Sequence, residues 1–242
     1  MNMNDALAEL VAAGDPARAE AAAAYHKTAR RYLGVPVPVI DEMAKRWREG
    51  LDVPARCALA DGLWQSDIHE ARVAAAKLLT QARIKEDGPV WDLIASWVPD
   101  FDGWAIADHV CNAGGRRLVA DPSRIDEVEG WTGAKSMWAR RAALVITLPW
   151  TKQNHPSQGD LAIRERVLGW AEGYAKDRDW FIQKAVAWWL RDLSKHDADR
   201  VRVWLAEHGE RLKPWAVREA MKHLGDGESV EQSPEPEPTP EG

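Results

Sequence analysis

The 242-residue chain has only two cysteines, Cys57 and Cys111, and no apolar run long enough to span a membrane. Two cysteines can form neither a disulfide framework nor a four-ligand zinc site. The first fifteen residues, MNMNDALAELVAAGD, contain neither the basic segment nor the apolar segment of a secretion signal. The sequence therefore predicts a protein of the reducing cytoplasm that has no membrane anchor.

The short motifs of several enzyme classes are also missing. The sequence has no glycine-rich phosphate loop, no Gly-x-Ser-x-Gly nucleophile elbow, no His-Glu-x-x-His motif and no Cys/His set at zinc spacing. A two-metal nuclease needs several carboxylates around one site, and the sequence offers a single candidate. We therefore predict that the protein uses no metal ion and no cofactor.

Basic residues are not in excess, since 32 Lys and Arg stand against 38 Asp and Glu, a formal net charge of −6. Six of the acidic residues lie in the Pro/Glu-rich segment 225–242, which contains no Lys or Arg. Residues 1–224 therefore balance 32 acidic against 32 basic residues, and a neutral body can still carry a basic face that binds polyanions. We predict a single folded domain over 1–224 and a disordered acidic tail over 225–242.

What the chain does contain is tryptophan, with 14 Trp against 3 Tyr and 2 Phe. Tryptophan is a large apolar side chain with one N–H donor, and it serves both as core filler and as a stacking surface. We expect most of the 14 to lie in the core.

The periodicity of the apolar residues is helical throughout 1–224, and no window alternates with the period of a strand. About twelve helices joined by short links are expected, among them 53–65, 69–84, 103–119 and 179–195, with a surface loop over 151–160. Such a series predicts an all-α fold, an α-solenoid of HEAT-like antiparallel helical repeats whose curvature creates one concave face.

Two residues of the predicted helix 103–119 are candidates for chemistry. Trp104 and Asp108 are four positions apart, so the ring and the carboxylate lie one turn apart on the same face. Aspartate is a poor helix former, and its presence within an apolar helix suggests a functional role. A surface carboxylate, or one paired with a neighbouring arginine, remains the alternative.

The predicted helix 179–195 carries a cationic stripe with a tryptophan in its middle. Lys184, Trp188, Arg191 and Lys195 share one face, which suits a surface that binds a polyanion. The alternative is a half-buried tryptophan surrounded by cations whose head groups reach solvent. The adjacent Trp189 is expected in the core.

A pair of arginines, Arg140 and Arg141, follows Trp138 on another predicted helix. Adjacent helical residues point about 100° apart, so at most one of the two can face a given groove. One of them could bind a phosphate in a bidentate manner, or both could be solvated.

Four segments, in their order and spacing, resemble the bacterial AlkD-type DNA alkylation repair glycosylases: YHKTARRYLGVPVP, LWQSDIHEARVAAAKLL, FIQKAVAWWLRDLSKHD and PWAVREAMKHL. The resemblance spans nearly all of 1–224. It implies that the family's Trp-x-x-x-Asp falls on Trp104 and Asp108, that its DNA-contacting arginine is Arg141, that its second pocket tryptophan is Trp188, and that its opening tyrosine is Tyr25. Where the family often has further aromatic residues, Asp102-Gly103 precedes Trp104, and the acidic tail is additional.

The resemblance implies a monofunctional DNA N-glycosylase with a concave DNA-binding face. Its substrates would be N3- and N7-alkylated purines, such as 3-methyladenine and 7-methylguanine, in duplex DNA, without base flipping and with tolerance of bulky adducts. Asp108 would stabilise the cationic sugar and orient water, Trp104 and Trp188 would face the cationic nucleotide, and Arg141 would hold a phosphate. Lys184, Arg191 and Lys195 would add DNA contacts. A monomer without an obligate protein partner is expected.

Two other functions fit the same fold. A non-catalytic helical-repeat protein that binds damaged or branched DNA would share the basic stripe. A protein-interaction scaffold, with the acidic tail as a docking segment, would show no salt-dependent affinity for DNA.

Overall fold

The computed structural model describes residues 1–225, so the predicted acidic tail lies outside the described residues from Asp226 onward. Within the described range the regular structure is helical, apart from one isolated bridge between Arg31 and Ile68. The prediction of an all-α fold is confirmed. The chain packs as two compact units that divide between Asp121 and Pro122, inside the range predicted as one domain.

The first unit, residues 1–121, is built around its fifth helix. Its helices are α1 (Met3–Ala12), α2 (Pro16–His26), α3 (Val37–Arg48), α4 (Val53–Gln65), α5 (His69–Leu79), α6 (Gly88–Trp97) and α7 (Trp104–Ala120). Helix α5 packs against α3, α4 and α7. Its neighbours can approach closely because four of its buried residues are alanines: Ala71, Ala74, Ala75 and Ala76.

A buried carboxylate holds the turn between α2 and α3. The backbone N–H groups of Leu33 and Gly34 donate to the two carboxylate oxygens of Glu70, at 2.8 and 2.7 Å. Glu70 is 3% exposed. Gly34 has a φ of +77°, and a Cβ at this position would lie 2.2 Å from the carbonyl oxygen of Asp15, so glycine is required here. These contacts fix the segment between α2 and α3 against α5.

Replacing Glu70 with alanine is expected to lower the free energy of unfolding by about 2–4 kcal/mol, because two buried N–H groups lose a charged acceptor. Urea denaturation followed by circular dichroism measures the change. Glu20→Ala is the matched control on the exposed surface of α2 and should change stability by less than about 0.5 kcal/mol. Equal effects of the two substitutions would contradict the assignment.

The second unit, which begins at Pro122, is built around its fourth helix. Its helices are α8 (Ile125–Thr132), α9 (Met137–Val145), α10 (Gln158–Tyr174), α11 (Trp180–Ser194), α12 (Ala198–His208) and α13 (Pro214–Met221). Helix α11 packs against α9, α12 and α13, and against the 3-10 segment Leu148–Lys152. The Asp179 side chain caps α11 by accepting from the N–H groups of Phe181 and Ile182.

Eight of the 14 tryptophans are buried, which confirms the expectation that most of them form core. Most of their indole N–H groups find acceptors inside the units; for example, Trp189 donates to the Thr147 hydroxyl at 3.1 Å and Trp204 to the Leu168 carbonyl at 3.2 Å. The remaining six are only half-buried: Trp104, Trp131, Trp138, Trp180, Trp188 and Trp215. They are the tryptophans that a ligand can reach.

The helix predicted over 69–84 ends earlier, at Leu79. The reason is Arg117, a fully buried side chain whose guanidinium donates to the carbonyls of Gln81 and Ala82 at 2.6 and 2.9 Å and to Asp87 at 3.1 Å. These bonds hold the chain after α5 in an irregular path. Local periodicity cannot show this, because Arg117 lies more than thirty positions further along the chain.

The surface loop predicted over 151–160 is shorter than expected, because the 3-10 segment reaches Lys152 and α10 begins at Gln158. A capping box between Ser157 and Asp160 starts α10 early.

Candidate functional site

Trp104 and Asp108 lie one turn apart at the start of α7, as the spacing predicts. Trp104 is the first residue of the helix, after an extended Gly103, and both candidate side chains are half-buried. His109 follows Asp108 on the adjoining face of the helix. Burial and the charge of Lys77 lower the pKa of His109, whereas Asp108 raises it. The carboxylate therefore lies beside an imidazole that burial keeps neutral at physiological pH.

An aromatic cluster surrounds the ring of Trp104. Tyr25, 59% exposed, meets it edge-on with ring centroids 6.1 Å apart, and His26 lies at 5.5 Å. His26 in turn stacks on His69 at 4.8 Å, and Tyr32 stacks on both, with ring centroids 4.8 Å from His69 and 5.9 Å from His26. The structure thus brings Tyr25 to Trp104 within the first unit. The sequence pattern does not indicate His26 or His69, because 43 positions separate the stacked pair.

An ion pair fixes the segment immediately before Trp104. The Arg30 guanidinium donates a short hydrogen bond to Asp102 and lies 3.5 Å from Asp67, and its side chain is 3% exposed. Asp102 stands two residues before the first residue of α7. The Asp102-Gly103 pair, noted as a departure from the family, therefore anchors the start of the helix that carries both candidate residues.

The cluster contains an imidazole that is neutral over the whole physiological range. Burial and the neighbouring His26 and Arg30 lower the pKa of His69 to about 3. Protonation of His69 would place a charge in a buried position close to the Arg30 guanidinium.

Between pH 7.0 and pH 5.5 the wild-type protein should lose stability through His69. The unfolded chain binds a proton at this residue near pH 6.5 while the folded protein does not, so stability falls as pH decreases. We expect His69→Gln to reduce this loss in unfolding free energy by about 1 kcal/mol, measured by urea denaturation at the two pH values. The exposed His155→Gln is the control. An unchanged pH dependence in His69→Gln would contradict the prediction.

In the second unit the two adjacent tryptophans of α11 have different environments. Trp189 is fully buried, as predicted, and Trp188 is half-buried. The indole N–H of Trp188 donates to the Asp192 carboxylate at 3.1 Å, and Asp192 is only 7% exposed. Asp192 therefore orients Trp188. Its position one turn after Trp188 could have revealed this partner in the sequence.

The cations at the C-terminal end of the predicted stripe are paired with carboxylates. Arg191 donates a short hydrogen bond to Glu219 and lies 3.4 Å from Asp192, and Lys195 lies 3.5 Å from Asp192. These ion pairs neutralise much of the charge that the sequence pattern assigned to DNA binding. The DNA contacts of Arg191 and Lys195 remain a prediction.

At its N-terminal end the stripe extends one turn beyond the predicted residues. The Lys184 ammonium lies 4.3 Å from the ring centroid of Trp180, in a cation–π contact. Trp180, Lys184 and Trp188 follow one another at intervals of four residues, so they share a face of α11.

Of the adjacent pair of arginines, Arg140 is half-buried and Arg141 is buried. Arg140 donates to the carbonyls of Ala134 and Lys135 at 3.2 and 3.1 Å and pairs with Asp177 at 3.2 Å. Arg141 is 2% exposed, and its guanidinium carbon lies 6.0 Å from the ring centroid of Trp138. The predicted phosphate contact of Arg141 therefore requires this guanidinium to become accessible when DNA binds.

Among residues 1–225, no group of three or more His, Cys, Asp and Glu side chains is arranged to hold a metal ion. No helix of the same range combines the length and the apolar character needed to cross a membrane.

The family model described as DNA alkylation repair enzyme matches residues 6–224. The chain belongs to this family. The match covers both compact units and every candidate residue of the site. No curated protein sequence is significantly similar to the chain.

Solved structures of other proteins share the fold of this chain. A predicted DNA alkylation repair enzyme from Enterococcus faecalis has 22% sequence identity and a TM-score of 0.74, over 88% of this chain and 98% of its own. AlkD2 from Streptococcus mutans has 19% identity and a TM-score of 0.58, over 78% of this chain and 88% of its own. These structures confirm the helical-repeat fold class and the AlkD-type resemblance. The concave DNA-binding face stays a prediction.

Proposed function

We propose that this DNA alkylation repair enzyme is a monofunctional DNA N-glycosylase. Its substrates are cationic purines alkylated at N3 or N7, such as 3-methyladenine and 7-methylguanine, in duplex DNA, and it works without metal or cofactor. We also propose that it acts in the cytoplasm, as the cysteine content predicts.

The observation that carries the proposal is the arrangement at the start of α7. A half-buried indole and a half-buried carboxylate lie one turn apart, with Tyr25 and His26 beside the indole, in a chain that matches the repair family over 6–224. The indole face attracts a cation, and the carboxylate stabilises positive charge that develops next to it.

The base is a good leaving group, so the protein needs to give its departure little assistance. Alkylation leaves the purine positively charged, so the base departs with the electron pair of the C1′–N bond and becomes neutral. Positive charge then develops on the deoxyribose, as in other glycosyl transfers. Asp108 stabilises this oxocarbenium ion and orients a water molecule toward C1′. Attack of the water forms a C1′–OH bond and releases a proton, which gives an abasic site and a free base.

In the first unit the ring face of Trp104 binds the cationic nucleotide and contributes about 0.5–2 kcal/mol. In the second unit Trp188, oriented by Asp192, offers a further ring face to the DNA. Contacts from Arg141 and Lys184 hold the DNA backbone, which positions the duplex without reading its sequence. Because the protein binds the DNA backbone, the lesion base stays in the base stack, and bulky adducts are tolerated.

The test is base release from duplex DNA that has been treated with a methylating agent. Chromatography coupled to mass spectrometry identifies the released bases, and alkaline strand cleavage counts the abasic sites. We expect free 7-methylguanine and 3-methyladenine in amounts equal to the abasic sites. DNA binding without release would instead indicate a non-catalytic reader of damaged DNA, and no binding even at low salt would indicate a scaffold.

A further inference from the structure

The N-terminal ends of α9, α11 and α13 carry a continuous row of aromatic side chains. The ring of Trp138 lies 4.7 Å from Phe181, Phe181 lies 5.1 Å from Trp180, and Trp180 stacks on Trp215 at 5.4 Å, all between ring centroids. All four rings are half-buried, in contrast to the eight tryptophans of the core. We call this row the aromatic ridge.

Two polar side chains, one fully buried and one half-buried, hold together the three chain segments that precede these helices. The Gln183 amide, fully buried, donates to the carbonyls of Asp177 and Ala175 at 2.7 and 3.2 Å and accepts from the Lys213 N–H at 2.9 Å. Arg140 joins the carbonyls of residues 134 and 135 to the carboxylate of Asp177. The segments 134–136, 175–179 and 213–215 therefore form one edge of the second unit.

This edge is positively charged. Its three segments contain two carboxylates, and both are engaged: Asp177 accepts from Arg140, and Asp179 accepts from the backbone at the start of α11. The same segments contain four cationic side chains that form no ion pair within residues 1–225: Lys135, Lys176, Arg178 and Lys213. The N-terminal ends of three helices add positive partial charge at the same place.

We propose that this edge binds a DNA strand, with the phosphates on the four cations and a sugar or base packed against the aromatic ridge. A cationic edge favours a polyanion, and half-buried indoles at its centre favour a ligand that also offers flat rings. The inference rests on the proposed function in one respect, that the ligand is DNA. The proposed surface continues from Trp188 and Lys184 past Trp180. It leads away from Arg191 and Lys195, whose charges are paired with carboxylates.

The test measures binding rather than excision. Fluorescence anisotropy measures the affinity for a labelled 20-base-pair duplex and for a labelled 20-nucleotide oligothymidine between about 50 and 200 mM salt. The double variant Lys176→Ala/Arg178→Ala should bind both probes about tenfold more weakly at about 0.1 M salt, with a log–log salt slope smaller by about 1–2. The matched control is Arg83→Ala/Lys85→Ala, two cations of the first unit, which should stay within about twofold of wild type.

A second pair of variants tests the ridge. Trp215→Leu should weaken oligothymidine binding about tenfold, whereas Trp215→Phe, which keeps a ring, should lose less than about threefold. Thermal unfolding of each variant confirms that it folds. The inference would be overturned if both Trp215→Leu and Lys176→Ala/Arg178→Ala bound the DNA probes with wild-type affinity. Failure of the wild type to bind DNA at low salt would instead overturn the proposed function.

Discussion

An Asp108→Asn variant is expected to release 7-methylguanine at least about 100-fold more slowly than the wild type, while it binds the same duplex with similar affinity. Asparagine keeps the size and the half-buried position of the side chain on α7. It exchanges one carboxylate oxygen for an NH2 group and so removes the negative charge, which matters most when positive charge develops on the sugar. The loss should therefore appear in the rate at saturating enzyme and not in the dissociation constant.

Single-turnover assays with enzyme in excess separate these two quantities. The matched control is Asp92→Asn, an exposed carboxylate of α6 in the same unit, which should release the base at the wild-type rate. A less than about fivefold effect of Asp108→Asn would remove Asp108 from the mechanism, since a single preorganised charge typically contributes 10²–10³ in rate.

The wild-type protein should release 7-methylguanine at least about 100-fold faster than uracil from otherwise identical duplexes. Uracil is neutral and leaves as an anion unless an acid protonates it, and the site offers no evident acid. His69 has a pKa of about 3, so it carries no proton to donate at neutral pH. We therefore expect the charge of the lesion to replace acid catalysis.

The size of the cation–π energy favours selectivity in the chemical step over selectivity in binding. A cation–π contact with Trp104 supplies about 0.5–2 kcal/mol, and part of that remains for a neutral base through stacking, whereas a 100-fold preference corresponds to about 2.7 kcal/mol. The larger part of the selectivity should therefore lie in the chemical step. Comparable excision of uracil and 7-methylguanine would show instead that the protein assists the leaving group, and an acid would have to be sought near Trp104.

The sequence predicted well those features that depend on neighbouring positions along one helix. The four-residue spacing of Trp104 and Asp108 placed them on one face of α7, and the distinction between Trp188 and Trp189 is confirmed by the burial of Trp189.

Contacts between distant positions could not be predicted in this way. Glu219, which pairs with Arg191, lies 28 positions away, and the spacing along α11 alone made Arg191 look available to DNA. The anchoring of the segment before Trp104 depends on Arg30, 72 positions before Asp102. In both cases packing between helices decides which charges are neutralised, and a single sequence carries no record of that packing.

The most direct measurement follows binding and base release in one sample of a duplex that contains a single 7-methylguanine, for the wild type and for Asp108→Asn. We predict that both proteins bind the duplex and that only the wild type releases the base and leaves an abasic site. Binding by both proteins with release by neither, or release by both at the same rate, would contradict a glycosylase that works through Asp108.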